Sequence, residues 1–342
     1  MIDKNPIIKM VLAQYPLVNF ESQNDIPGWG TTIRTTLTLN GKSYFLKEKA
    51  PYLTSEEFIT KINLHNLLQL NTGPASILVT TRDKKQYAKF GDRYFELHEW
   101  VSGRFINYNC VNEIRILGEY TGILTHKLQI LYQQQTDTSK LPNPSARSKW
   151  FPDTIDSIKC YFNNLFLLYS TNVELQIILS QLYKIVSEVS SSIDWHNLPQ
   201  SMIHGDLSSD NAIFNVESGN ITFIDFDNIR VSNRIWDIAR LAAVIGLLYD
   251  NKLNQKQLNN EFAYDKVNTL LAGYTQNITL NPLEKNNLPN IIIINLILAF
   301  LSEFDIDDLE NTILTPTAVS IEFDKLLAMI SSLKKNLYRV LT

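Results

Sequence analysis

The residues of this chain best suited to chemistry are two carboxylates and an amide. Asp206 and Asn211 lie five positions apart in His204-Gly-Asp206-Leu-Ser-Ser-Asp210-Asn211, and Asp225 follows fourteen positions later in Ile224-Asp225-Phe226-Asp227. An aspartate can accept or orient the proton of an attacking hydroxyl. An asparagine oxygen and a second carboxylate are hard ligands of the kind Mg²⁺ takes beside substrate phosphates. Phosphoryl transfer asks little covalent work of a protein and much positioning and charge neutralisation. These residue types at this spacing therefore read as a base, Asp206, and two metal ligands, Asn211 and Asp225. His204 has two readings, a hydrogen bond to the backbone beside the metal-binding aspartate or direct chemistry. Asp210 and Asp227 could each support the metal, face a substrate or simply shape a turn.

Such a set works only if the chain returns Asp225 to the side of Asn211. Ala212–Val216 and Ile221–Ile224 are short apolar runs separated by Glu217-Ser-Gly-Asn220, the pattern of strand, turn and strand. Ser201-Met-Ile203 is a short apolar lead-in to the loop. Downstream, Arg234-Ile-Trp-Asp237-Ile-Ala-Arg-Leu241 opens an amphipathic segment in which Asp237 suits a helix N-cap. Upstream, Leu39–Lys47 contains a turn and an alternating strand, with Lys47 and Lys49 on one face as phosphate contacts or edge charges. Thr54-Ser-Glu56-Glu57 followed by apolar residues at helical spacing predicts a capped helix.

The loop spacing matches the kinase pattern in which a base Asp and a metal-binding Asn share one loop. Other protein-kinase signatures are missing: Asp225-Phe-Asp227 stands where Asp-Phe-Gly would, and there is no Ala-Pro-Glu and no G-x-G-x-x-G. Trp236 follows Asp227 by only nine positions, which leaves no room for a long activation segment. The segment from His204 to Asp237 instead resembles the aminoglycoside phosphotransferase and choline kinase superfamily, and within it the branch of phosphotransferase-type homoserine kinases and spore-coat kinase-like proteins. Softer cues to that branch are the early helix through Ile7–Tyr15 and the segment Leu270-Leu-Ala-Gly273-Tyr274.

This resemblance implies an α+β, two-lobed protein-kinase-like fold. A small N-lobe with an antiparallel sheet (1–101) would bind nucleotide, and a larger, mainly helical C-lobe (102–342) would carry the catalytic loop and acceptor-binding helices. It implies ATP and Mg²⁺ as cofactors, with Lys47 on the nucleotide phosphates and Glu57 or Glu56 paired with it. Glu99, Trp100 and Val101 would form a hinge whose backbone meets adenine, and Asp237 would brace the catalytic loop. Pro27-Gly28-Trp-Gly30-Thr-Thr would be the loop over the phosphates. The activity implied is transfer of the γ-phosphoryl group to a hydroxyl of a small polar molecule such as an amino alcohol, sugar or aminoglycoside. A Ser/Thr protein kinase on the same fold and a nucleotide-binding pseudokinase with a regulatory role are the alternatives.

With 342 residues, the chain exceeds the size at which single cores stop growing, roughly 250 to 300 residues. Hydrophobic residues make up 44% and charged residues 19%, a balance that excludes a disordered scaffold. A net charge of −4 offers no basic field for nucleic acid. The apolar run Ile291–Leu301 contains Asn295 and is shorter than a bilayer span, so a buried helix and no membrane are expected. The N-terminus lacks a secretory pattern, and Cys110 and Cys160 have no metal or redox spacing, which points to the cytoplasm. The polar segment Tyr132–Ala146 reads as an exposed insertion. The acidic run Glu303–Glu310 suits either a cationic acceptor or a solvated loop, and it lacks the glycine and terminal glutamate of a calcium-binding EF-hand.

Overall fold

A computed structural model describes residues 5–17, 20–26, 32–39, 41–50, 53–135, 141, 154–247, 261–302 and 316–336. The glycines of the Pro27–Thr32 loop, most of the insertion within Tyr132–Ala146 and the acidic run Glu303–Glu310 lie outside the described residues.

The first part of the chain builds a five-stranded antiparallel sheet in the order β1-β2-β3-β5-β4, from Phe20–Asp25 (β1), Arg34–Leu39 (β2), Lys42–Glu48 (β3), Ala88–Phe90 (β4) and Arg93–Glu99 (β5). Alternation in β2 turns Thr35, Leu37 and Leu39 to the interior, because successive side chains of a strand face opposite ways. There they meet Ile8 and Val11 of the first helix, α1 (Asn5–Leu12), together with Tyr15, Leu46, Phe95 and Leu97. The opposite face, which includes Arg34 and Phe45, is left to line a cleft.

Helix α2 (Ser55–Leu70) begins at a capping box: Glu57 N–H donates to Thr54 Oγ1 at 3.1 Å and Thr54 N–H donates to Glu57 Oε2 at 2.8 Å. It straddles two cores. Phe58 and Ile62 pack with Leu78 and Tyr94 beside the sheet, whereas Leu64 and Leu68 belong to the large core of the second part. The segment after α2 is tied to that second part as well, since Ser76 N–H donates to Phe223 O at 3.0 Å.

Beyond Val101 the chain is mainly helical. Its helices are α3 (Val111–Gln134), α4 (Ile155–Leu168), α5 (Val173–Ser191), α6 (Trp236–Leu247), α7 (Tyr264–Tyr274), α8 (Pro282–Ser302) and α9 (Pro316–Asn336). Two small sheets carry the loops: β6 (Arg104–Phe105), β8 (Ala212–Phe214) and β9 (Ile221–Phe223) form one, and β7 (Gln200–Ile203) with β10 (Arg230–Asn233) forms the other. Helices α3 and α7 meet through glycines. A Cβ on Gly118 or Gly122 would run into the backbone of Leu270 or Tyr274, and one on Gly273 into that of Arg115. This close approach explains why Leu117–Leu124 and Leu270–Tyr274 contain glycine inside helices, where it costs about 1 kcal/mol each relative to alanine. Among the described residues, α8 is long and apolar enough to cross a membrane, yet 72% of its apolar window is buried within the protein. It is a core helix.

Candidate active site

The residues of the His204–Asn211 loop are fixed by backbone geometry first. Strand β7 delivers His204 and Gly205, whose amides donate to the two carboxylate oxygens of Asp237 at the start of α6, at 2.7 and 3.0 Å. Gly205 has φ +81°, and a Cβ there would collide with Arg230 and Asn228, so glycine is required. Arg230 Nη1 in turn donates to Gly205 O at 3.1 Å and Asn228 O at 2.9 Å. The turn is thereby held between β10 and α6, and Asp206 emerges from it.

Asn211 ends a short 3₁₀ turn, Ser209–Asn211, and its Nδ2 donates to Asp206 O at 2.8 Å. That bond commits the amide nitrogen and leaves the amide oxygen to the cleft. The hairpin of β8 and β9 pairs Ala212 with Phe223, and Ile224 N–H donates to Asn211 O at 3.0 Å, which sets Asp225 beside Asn211. Asp225 adopts φ +61°, a left-handed conformation that costs a non-glycine residue roughly 1 kcal/mol or more. His204, fully buried, supports this corner: its Nε2 lies 3.0 Å from Ile224 O and its ring 4.7 Å from that of Phe226.

Lys47 on β3 reaches the same corner. Its ammonium lies 2.8 Å from Asp225 Oδ1, 2.7 Å from Asp227 Oδ2 and 3.6 Å from Glu96 Oε1, with 4% of the side chain exposed. Burial works to lower the Lys47 pKa, but the carboxylates of Asp225, Asp227 and Glu96 outweigh it and hold it above its ordinary value. Burial would raise the Asp225 pKa; Lys47, and after it Arg34, hold that carboxyl below its usual range. Glu96 is also held down, to about 2, by His98 and Lys47 against the effect of burial.

The expected pairing of Lys47 with Glu57 or Glu56 does not occur. Glu57 is committed to the α2 capping box, and Glu56 is exposed. The carboxylate opposite Lys47 comes from β5, where antiparallel register places Glu96 across from it. Lys49 is not an edge charge either, as its ammonium donates to Leu53 O. Helix α2 faces the cleft with Lys61 instead of an acid; its Nζ donates to Asp227 O at 2.6 Å.

A cavity of about 630 Å³ runs from Lys47, Asn211 and Asp225 to Phe45, His98, Glu99, Trp100 and Val101, a size typical of small-molecule sites. Along its back wall His65 Nε2 lies 2.8 Å from Ser76 O, and Ser76 Oγ lies 3.2 Å from His98 Nδ1. Burial, aided by His98, pushes the His65 pKa down to about 3, so its ring is neutral. In the segment after β5, the amides of Glu99 and Trp100 donate to Ile77 O and Ser43 O. Asp206 stands at the His204–Asn211 loop, where Arg240 Nη2 donates to its Oδ1 at 3.0 Å and Asn228 Nδ2 approaches its Oδ2 at 3.4 Å. Burial raises the Asp206 pKa, while Arg240 and His204 work to lower it.

The structure thus brings Lys47, Asn211, Asp225, Glu99, Trp100 and Val101 to one cavity, with Asp206 at the loop beside it and His204 and Asp237 behind. Residues missed in the sequence are Glu96, Arg240, Lys61 and the His65–His98 pair. An acid within the apolar strand Tyr94–Leu97 was the one available sign of Glu96, and a cation three positions after Asp237 that of Arg240.

Comparison with known proteins agrees with this geometry. Residues 172–270 match the model of the phosphotransferase enzyme family. Amicoumacin kinase, solved with AMP-PNP, Ca²⁺ and its ligand, superposes with a TM-score of 0.69 at 16% identity, covering 98% of this chain and 93% of its own. This is the fold of the aminoglycoside phosphotransferase and choline kinase superfamily. A microcompartment-associated aminopropanol kinase (TM-score 0.62, 15% identity, 99% of both chains) shares the superfamily fold. So does choline kinase from Cryptosporidium parvum Iowa II (0.60, 13%, 98% of this chain and 95% of that one). No curated protein matches the chain by sequence.

Proposed function

We propose that the protein is an ATP-dependent kinase that transfers the γ-phosphoryl group to a hydroxyl of a small polar molecule. The observation that carries this reading is the convergence of Lys47, Asn211 and Asp225 on one cavity, with Asp206 on the adjoining loop. Solved structures of the same fold, among them amicoumacin kinase with AMP-PNP, support it.

In this reading adenine lies against Phe45 and His98 and meets the backbone of Glu99–Val101. Lys47 contacts the phosphates, which then share it with Asp225 and Asp227. Asn211 and Asp225 fit Mg²⁺: both offer hard oxygens, and Asn211 has its nitrogen already committed to Asp206 O. When bound, the ion neutralises phosphate charge. Asp206 aligns the acceptor hydroxyl and takes its proton, and Arg240 and Asn228 fix the direction in which its oxygens point. His204 and Asp237 act through the backbone they hold. The chain would work in the cytoplasm on a small-molecule acceptor.

The test is transfer of terminally labelled phosphate from ATP, with Mg²⁺, into pools of amino alcohols, sugars and aminoglycosides, beside the Asp206→Ala variant. Labelling of one pool by the wild type alone is the expected result. Equal labelling by both proteins, or label appearing only on protein, would overturn it.

A further inference from the structure

We propose that Arg34 is a second phosphate-binding cation, a guanidinium that grips the terminal phosphates of the nucleotide beside Lys47. The inference rests on the nucleotide reading of the cleft and adds to it a residue of β2.

Arg34 is the first residue of β2 and pairs in register with Lys47 of β3. Directly opposed residues of an antiparallel pair project from the same face with their Cβ atoms close together. Both therefore point away from the packed side, where Ile33 and Leu46 are buried, and both line the cavity that contains Asp225.

The two cations differ in what already holds them. Lys47 is enclosed by Glu96, Asp225 and Asp227. Arg34 acts on Asp225 only through its charge, with no ion pair or hydrogen bond to a carboxylate among the described residues, and its Nε is buried without a hydrogen bond. The acid nearest along the adjoining strand, Glu48, is taken by Arg93, whose Nε and Nη2 donate to its two oxygens at 2.6 Å each. A half-buried guanidinium whose Nε finds no protein acceptor is costly by itself and well matched to an incoming anion.

Arginine presents parallel donors in a planar fork, which suits two oxygens of a phosphate better than a carboxylate already bonded elsewhere. Its place beside Asp225, the metal-facing carboxylate, assigns it to the β- and γ-phosphates. Adenine, in the nucleotide reading, lies at the Phe45 and Trp100 end of the cavity, whereas Arg34 is in register with Lys47 at the Asp225 end.

Calorimetric titration of ATP, ADP and AMP, each with Mg²⁺, into wild type, Arg34→Gln and Arg34→Lys separates the possibilities. Arg34→Gln should weaken ATP and ADP by roughly tenfold or more while leaving AMP within about twofold. Arg34→Lys should fall between, because a point charge replaces the fork, and it keeps the test open if the glutamine variant does not fold. Unchanged ATP affinity in Arg34→Gln, or an equal loss for all three nucleotides, overturns the assignment while the nucleotide reading stands. A wild type that binds none of the three overturns both.

Discussion

At the scale of single residues, the site is organised by cations placed on carboxylates that burial would otherwise neutralise. Asp206 shows the balance best. Burial raises its pKa, and Arg240, 3.0 Å away, works in the other direction. As the proposed proton acceptor Asp206 must be ionised, so the acidic limb of the activity profile should lie above the ordinary aspartate value. Removing Arg240 withdraws a charge that favours the ionised form, so the Asp206 pKa rises further. In Arg240→Met the acidic limb of kcat/KM should move to higher pH, and Arg240→Lys should restore part of the shift. A limb that stays in place, with activity lowered uniformly, would show that Arg240 does not act through Asp206. The sign for stability follows from the same shift. A carboxyl with a raised native pKa binds its proton more tightly folded than unfolded, so its contribution falls as pH rises from its ordinary value through the native one.

At the scale of elements, the decisive contact is between the N-terminus of α6 and the turn after β7. Asp237 accepts both the His204 and Gly205 amides, each a hydrogen bond to a charged acceptor. Asp237→Ala leaves two buried donors unsatisfied and should cost about 3 kcal/mol in urea unfolding. Asp237→Asn, which keeps one acceptor oxygen, should cost about half as much. Both should lower kcat more than they raise KM for ATP, since they loosen the loop that carries Asp206 and leave the cavity wall intact. An unfolding midpoint unchanged in Asp237→Ala would remove the brace from the account. Much at this scale was legible in the chain: the Ala212–Ile224 hairpin and the α2 cap are local patterns that neighbouring residues specify by themselves. The partner of Lys47 was not, because Glu96 reaches it through the register of two strands separated by α2. The same local signal that announced α2 also misdirected the pairing. Glu57 is the N3 residue of a capping box, and a side chain spent on its own helix terminus is not available to a lysine across a sheet.

At the scale of the whole molecule, the sheet packs one core against α1, and α2 joins a smaller cluster beside the sheet, through Phe58 and Ile62, to the large core of the helical part, through Leu64 and Leu68. The larger core is built around α8, whose apolar run marks it in the sequence as buried. What the run does not reveal is how Asn295 is accommodated within it. Asn295 is 1% exposed; its Nδ2 donates back along the helix to Ile291 O at 3.0 Å, and its Oδ1 is buried without a partner among the described residues. A buried acceptor left unsatisfied costs roughly 1 to 3 kcal/mol, whereas an apolar side chain of similar volume restores the packing without that penalty. Asn295→Leu should therefore stabilise the protein by about 1 kcal/mol or more, read as a higher urea midpoint at unchanged slope. The backbone of Ile291 loses only a second bond, since its carbonyl retains its place in the helix ladder. Asn295 lies outside the residues that line the cavity proposed to bind nucleotide, so nucleotide affinity should not change. A lowered midpoint would mean that Asn295 has a hydrogen-bonded role in the core that a leucine cannot fill.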